Sequence, residues 1–235
     1  MKDRIIVALD TDSPEKALSA VKSLSGEVGM FKVGMELFPR GGPELVRAIR
    51  KEGYGVFLDL KFHDIPNTVA GAVRSAADLG VRFATVHASG GRAMLAAAAE
   101  AAAGPGTTLL AVTVLTSLDD ADLADVGFSF GAKDAVLRLA DLAVSSGIGG
   151  IVCSAEEVAA VRERLGKGVV LVTPGVRMPG GEAGDQKRVV TPSEATGRGA
   201  DYIVVGRPIT RAKDPAAAAR EFAVEMRRGA AGGAA

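Results

Sequence analysis

GVFLDLKFHDIPNTVAGAVRSAADLGVRFATVH, residues 55–87, sets out the repeating unit of this chain. Residues 55–60 are an apolar run of strand length. Residues 67–79 are an Ala-rich amphipathic stretch of helical length, and Gly80 follows where a left-handed C-cap residue is wanted. A second apolar run comes at 82–87. Strands that are apolar on both faces and joined by a helix belong to a parallel sheet covered on both sides.

The same alternation fills the rest of the chain. Strand-like runs fall at 4–9, 29–33, 55–60, 82–87, 108–114, 149–153, 168–172 and 202–205. Helical stretches fall near 14–24, 41–52, 67–79, 91–102, 131–146, 155–165 and 192–199, with an eighth at 215–227. Ser13-Pro14-Glu15 and Thr191-Pro192-Ser193-Glu194 each set a capping residue before a first-turn proline, and Gly53 and Gly166 close helical stretches as Gly80 does. Eight such units predict an α/β fold, a single-domain (β/α)8 TIM barrel of eight parallel strands over residues 1–228, with 229–235 as a flexible tail. The chain's 235 residues suit a barrel, which typically needs about 250. The alternative is an open doubly wound sheet, but no Gly-x-Gly-x-x-Gly turn follows the first strand.

Composition narrows the function. Lys plus Arg and Asp plus Glu both number 28, so no bulk charge draws the chain to nucleic acid or to a membrane surface. Trp is absent, which leaves little for stacking on single-stranded bases. No apolar run approaches the roughly 18 residues of a membrane span, and the N-terminus runs straight into a strand without signal-peptide character. The one cysteine, Cys153, excludes an internal disulfide and a cysteine-based zinc cluster, and reads as a buried small hydrophobe. Two separated histidines add no metal site. These features together predict a cytoplasmic protein.

In such barrels the site lies at the C-terminal ends of the strands. The polar residues gather there: Asp10, Lys32, Asp59 and Lys61, His87, Thr113 and Thr116, Arg177, and Gly206-Arg207. Side chains two apart on a strand share a face, so Asp59 and Lys61 both face the barrel mouth while Leu60 faces the helices. With Lys32 and Asp64 they make an alternating array, Lys32, Asp59, Lys61, Asp64. An ion-pair cluster that merely closes the barrel is the plainer account. Buried ion pairs add little stability against apolar replacements, so four charges together point to chemistry. Arg207 after Gly206 marks an anion site, since these barrels often bind phosphate with the loops after strands seven and eight. A surface arginine is the alternative. The Gly-rich loop 174–190 is long enough to be a lid over that site.

The chain resembles the bacterial orotidine 5′-monophosphate decarboxylases over nearly its whole length. The likeness runs through Ala8-Leu9-Asp10, Phe31-Lys32-Val33-Gly34, Leu58-Asp59-Leu60-Lys61-Phe62-His63-Asp64-Ile65-Pro66-Asn67-Thr68 and Val86-His87-Ala88-Ser89-Gly90-Gly91. It continues in Val112-Thr113-Val114-Leu115-Thr116-Ser117, Thr173-Pro174-Gly175-Val176-Arg177, Gly184-Asp185-Gln186-Lys187-Arg188 and Val204-Val205-Gly206-Arg207-Pro208-Ile209. The resemblance implies a cofactor-free carboxy-lyase acting on orotidine 5′-monophosphate. Lys61 would protonate C6 of the pyrimidine, and Asp59 would stand beside the departing carboxylate. Lys32 would hold Asp59 and a ribose hydroxyl, and Asp10 would also bind ribose. Thr116 would contact the pyrimidine, and Arg177, Gln186, Gly206 and Arg207 would bind phosphate. Asp64 and Thr68 would reach into the partner's site of a homodimer.

Two other readings stand beside this one. A magnesium-dependent sugar-phosphate decarboxylase or aldolase of the same superfamily shares the Asp-x-Lys-x-x-Asp strand, but carries an acidic metal ligand where this chain has Lys32. A non-catalytic phosphate-ligand binder on a barrel is the other, although no binding role calls for the charge array. His63 and His87 read as supports of the barrel mouth, because the implied mechanism needs no imidazole.

Overall fold

The eight short apolar runs form a closed barrel. A computed structural model describes residues 1–104, 106–180 and 190–232. The chain passes through β1 (Ile5–Ala8), α1 (Pro14–Ser23), β2 (Met30–Gly34), α2 (Phe38–Lys51), β3 (Gly55–Phe62), α3 (Pro66–Asp78), β4 (Phe83–His87) and α4 (Gly91–Ala101). It continues through β5 (Thr108–Val112), α5 (Asp120–Asp125), α6 (Ala132–Ser145), β6 (Gly150–Val152), α7 (Val158–Leu165) and β7 (Val170–Thr173). The last elements are α8 (Pro192–Gly197), β8 (Tyr202–Val205), α9 (Arg207–Thr210) and α10 (Pro215–Gly232). Neighbouring strands pair in chain order and in parallel, and β8 pairs back onto β1. This is the expected (β/α)8 barrel in one domain.

Strand alternation divides the apolar residues into two layers. One parity of each strand, including Ile5, Val7, Phe31, Val33, Val56 and Leu58, packs outward beneath the helices in the large core. The other parity fills the interior with Ile6, Ala8, Met30, Phe57, Phe83, Leu110, Val172 and Val204. Phe57 meets Phe83 edge-to-face at 6.1 Å, and Phe83 meets Tyr202 edge-to-face at 5.1 Å, so aromatic rings plug the barrel. At the bottom Arg162 ties the last strands together. Its guanidinium donates to the Val169 carbonyl at 2.8 Å and to Asp201 Oδ2 at 2.6 Å, and that same oxygen accepts from Leu171 N at 2.8 Å.

The caps read from sequence form as expected. Ser13 Oγ accepts from Lys16 N, and Thr191 and Glu194 make a reciprocal capping box. Gly53, Gly80 and Gly166 all take positive φ. The structure adds elements that periodicity could not supply. α5 is six residues capped by Asp119, and α9 is four residues after β8, both too short to register a helical period. α2 starts three residues earlier than expected and kinks at Gly42, ahead of Pro43.

The expected tail, 229–235, is corrected over residues 229–232 alone, and 233–235 lie outside the described residues. α10 runs to Gly232, so residues 229–232 are helical rather than flexible. The cause is tertiary contact with α8. Thr196 Oγ1 donates to the Met226 carbonyl at 3.1 Å, and a Cβ on Gly229 would overlap the Ser193 carbonyl and the Thr196 hydroxyl. Glycine costs about 1 kcal/mol in a helix, yet here only its bare backbone lets the two helices meet. Gly229→Ala is expected to destabilise the barrel by about 1–3 kcal/mol through overpacking. Urea unfolding checks this, and an unchanged midpoint would show that this contact carries no stability.

Candidate active site

The inward parity that fills the barrel also builds the site. Two residues above Ala8 comes Asp10, two above Met30 comes Lys32, two above Phe57 comes Asp59, and two above Val204 comes Gly206. Three of these four strands thus turn from apolar to charged as they reach the mouth, and the fourth ends in a glycine. These residues line a cavity of about 350 Å³, whose floor is Ala8, Phe57, Val112, Val152 and Val204. The charges alternate across it. Lys32 Nζ lies 3.0 Å from Asp10 Oδ1 and 3.7 Å from Asp59 Oδ2, and Lys61 Nζ lies 2.9 Å from Asp59 Oδ1. Only 14% of the Lys32 and Asp59 side chains is exposed, so water screens their mutual attraction weakly.

Asp59 and Lys61 both face the cavity, Asp59 by alternation from Phe57 and Lys61 across an irregularity in β3. The pairing of β3 with β4 goes from Leu58↔Ala84 to Phe62↔Val86, which leaves Asp59, Leu60 and Lys61 opposite Thr85 alone. This is a bulge of the kind that re-aims side chains at barrel rims. Lys61 has φ 50, the one non-glycine among the described residues in the left-handed region, at a cost of about 1–2 kcal/mol. Leu60 packs on the helix side, as expected. Thr85 closes the bulge: its hydroxyl accepts from Lys61 N at 2.8 Å and donates to Asp59 Oδ1 at 3.1 Å. Sequence reasoning missed this residue. Its signal was a polar side chain at inward parity, two after Phe83, next to the Asp59–Lys61 strand.

Of the remaining expected residues, Thr116, Arg177, Gly206 and Arg207 line the same cavity. Burial and the nearby Arg207 charge hold the Arg177 guanidinium below its ordinary range. An anion bound beside both guanidiniums would favour their charged forms. The loop 174–190 begins and ends together, with Arg177 N donating to the Val190 carbonyl at 2.9 Å. Gln186 lies outside the described residues. Asp64 does not join its own chain's array: it is exposed, and its Oδ1 accepts from Ile65 N at 2.6 Å. Asp10 takes the expected place of Asp64, so the array runs Asp10, Lys32, Asp59, Lys61. Thr68 is likewise exposed, in the first turn of α3, and Thr113 is buried, with its hydroxyl donating to the Val152 carbonyl. Cys153 is 1% exposed and borders the cavity.

Known proteins share this arrangement of strands. The family model described as orotidine 5′-phosphate decarboxylase / HUMPS matches residues 3–222. This chain belongs to that family. Named relatives of the orotidine 5′-phosphate decarboxylase / HUMPS family include the orotidine 5′-phosphate decarboxylase of Halorhodospira halophila, 56% identical over 95% of each chain. The enzyme of that name from Anaeromyxobacter sp. strain K is 57% identical over 95% of this chain and 98% of its own. Among solved structures, the orotidine 5′-phosphate decarboxylase of Lactobacillus acidophilus is 40% identical, with a TM-score of 0.85 over 94% of this chain and 98% of that one.

His63 and His87 stack beside Lys61 with ring centroids 5.4 Å apart, and neither borders the cavity. Ser89 Oγ holds His87 Nδ1 at 2.7 Å. Burial first, then the charges of His63 and Lys61, keeps the His87 imidazole below its ordinary 6.5. As pH falls the unfolded chain therefore takes up this proton before the folded chain does. The stability held by neutral His87 is whole above the ordinary value and is lost as pH drops below it. His87→Gln should flatten the fall in Tm between about pH 7 and pH 5 relative to the parent chain. Parallel curves would show that another group sets the acid limb.

Proposed function

We propose that the chain converts orotidine 5′-monophosphate to uridine 5′-monophosphate and carbon dioxide, the last step of de novo pyrimidine synthesis. The observation that carries this is the array Asp10, Lys32, Asp59, Lys61 across one cavity, in a chain of this family. Loss of carbon dioxide breaks the bond from C6 to the carboxylate and leaves the electron pair on C6. No carbonyl is placed to take up that pair by delocalisation. The Lys61 ammonium stabilises the developing charge across a poorly hydrated site and then gives its proton to C6. Asp59 does two things. Its oxygen 2.9 Å from Lys61 Nζ fixes the ammonium, and its own charge opposes the substrate carboxylate until carbon dioxide leaves.

Lys32, held between Asp10 and Asp59, would meet a ribose hydroxyl together with Asp10. Thr116 borders the cavity and would contact the pyrimidine. Arg177, Gly206 and Arg207 border the cavity and would bind phosphate, at the position these barrels commonly use for it; Gln186, outside the described residues, joins them only through the resemblance. Phosphate lies far from the reacting carbon, and the energy of its contacts can be spent on the transition state.

Lys32 also argues against the magnesium-dependent reading. Its ammonium sits between two carboxylates, where a divalent cation would otherwise be held, and it would repel one. A cytoplasmic setting suits a chain with a single, buried cysteine. Among the described residues no helix is long and apolar enough to cross a membrane.

The proposed working unit is a homodimer in which Asp64 and Thr68 complete the partner's site. Both are exposed on the segment that leaves the mouth after β3, and Ile65 beside them is 69% exposed. A large apolar side chain so exposed at a polar mouth suits burial against a second copy.

The deciding experiment follows the absorbance of orotidine 5′-monophosphate with purified protein in EDTA, for the parent chain and Lys61→Ala. The expected outcome is conversion to uridine 5′-monophosphate by the parent and loss of at least about 1000-fold in the variant. No turnover by the folded parent would sink the proposal. Site sharing has its own check, in which inactive Lys61→Ala and Asp64→Ala chains are mixed after verified subunit exchange. Partial recovery is expected, and none would leave each site within one chain.

A further inference from the structure

We propose that Thr85 is a positioning residue for this reaction, whose hydroxyl fixes the Lys61 ammonium relative to Asp59. The inference rests on the decarboxylase proposal above. Four atoms make a closed ring. Lys61 N donates to Thr85 Oγ1 at 2.8 Å, Thr85 Oγ1 donates to Asp59 Oδ1 at 3.1 Å, and Lys61 Nζ donates to that same oxygen at 2.9 Å. Lysine is thereby held at both ends, by its backbone nitrogen and by its ammonium.

Donor and acceptor counting leaves one way to make this ring. A hydroxyl has one proton and two lone pairs, and an ionised carboxylate only accepts. The backbone N–H must donate to Thr85, so the single hydroxyl proton goes to Asp59. Thr85 is 0% exposed, so bulk water cannot take over either bond. The ring also explains the bulge. Lys61 holds a left-handed backbone, φ 50, at the point where three residues of β3 face Thr85 alone. Without the hydroxyl the Lys61 N–H loses its acceptor inside the sheet, and the strained backbone is free to relax toward regular strand geometry. That relaxation moves the long side chain at its root and carries the ammonium away from C6.

The groups that hold ribose and phosphate sit on other strands, so the ring should govern the chemical step more than substrate binding. Thr85→Val keeps the side-chain shape and removes both bonds, whereas Thr85→Ser keeps both. Expected for Thr85→Val is a fall in kcat of about 100-fold with KM within about threefold, because a shift of about 1 Å in a reacting group costs that much. Thr85→Ser should recover to within about fivefold of the parent kcat. Thr85→Ala, measured alongside, covers the case in which the valine variant does not fold, and circular dichroism verifies folding of each. Wild-type kcat in a folded Thr85→Val or Thr85→Ala chain would overturn the inference. So would equal losses in the serine and valine chains, or a loss confined to KM. A parent chain without turnover would instead remove the decarboxylase proposal and this inference with it. Turnover by the parent with an unaffected Thr85→Val would remove the inference alone.

Discussion

One carboxylate organises the mouth of this barrel. Asp59 is mostly withdrawn from water, and an isolated charge there would cost several kcal/mol. Lys61 and Thr85 bond its Oδ1, and the Lys32 ammonium faces its Oδ2. Removing any one of these would leave a charge or a donor poorly matched in a low-dielectric site. The arrangement is therefore poor as a device for stability alone, because an apolar cluster would hold the barrel as well. It makes sense as a fixed field that keeps an ammonium and a carboxylate close together, ready to act on a substrate.

The rest of the fold serves that field by layering. Inward side chains are apolar up to Phe57 and Phe83, and charged or polar one step higher. The staggered register matters here. Lys32 pairs with Phe57 and not with Asp59, so its long stem climbs past the aromatic layer to bring the ammonium between Asp10 and Asp59. A shorter cation at the same position could not span that height. Below, the Arg162–Asp201 clamp secures the ends of β7 and β8 without touching the cavity, so stability and chemistry occupy opposite faces of the barrel.

Most of this architecture was readable from the amino acids. Strand and helix periods located eight units, and Ser13, Thr191 and the three C-terminal glycines marked real helix ends. The convergence of Asp10, Lys32, Asp59 and Lys61 followed from where charged residues fall at strand ends. What could not be read depends on contacts between segments distant in sequence. The Lys61 backbone is left-handed because of a hydroxyl on the next strand, and no local preference of lysine announces it. Thr85 looks like any β-branched strand residue until its register is known. Residues 229–232 look like linker by composition and are helical because α8 lies beside them. Asp64 belongs by spacing to the array, yet its side chain turns back to its own loop, since spacing along a chain does not specify which way a loop points.

The aromatic plug has a consequence for traffic. Phe57, Phe83 and Tyr202 fill the barrel interior, and the cavity lies above them at the ends of the strands. The aromatic layer leaves a small molecule no passage through the barrel, so a ligand of this cavity enters and leaves on the side of the strand ends.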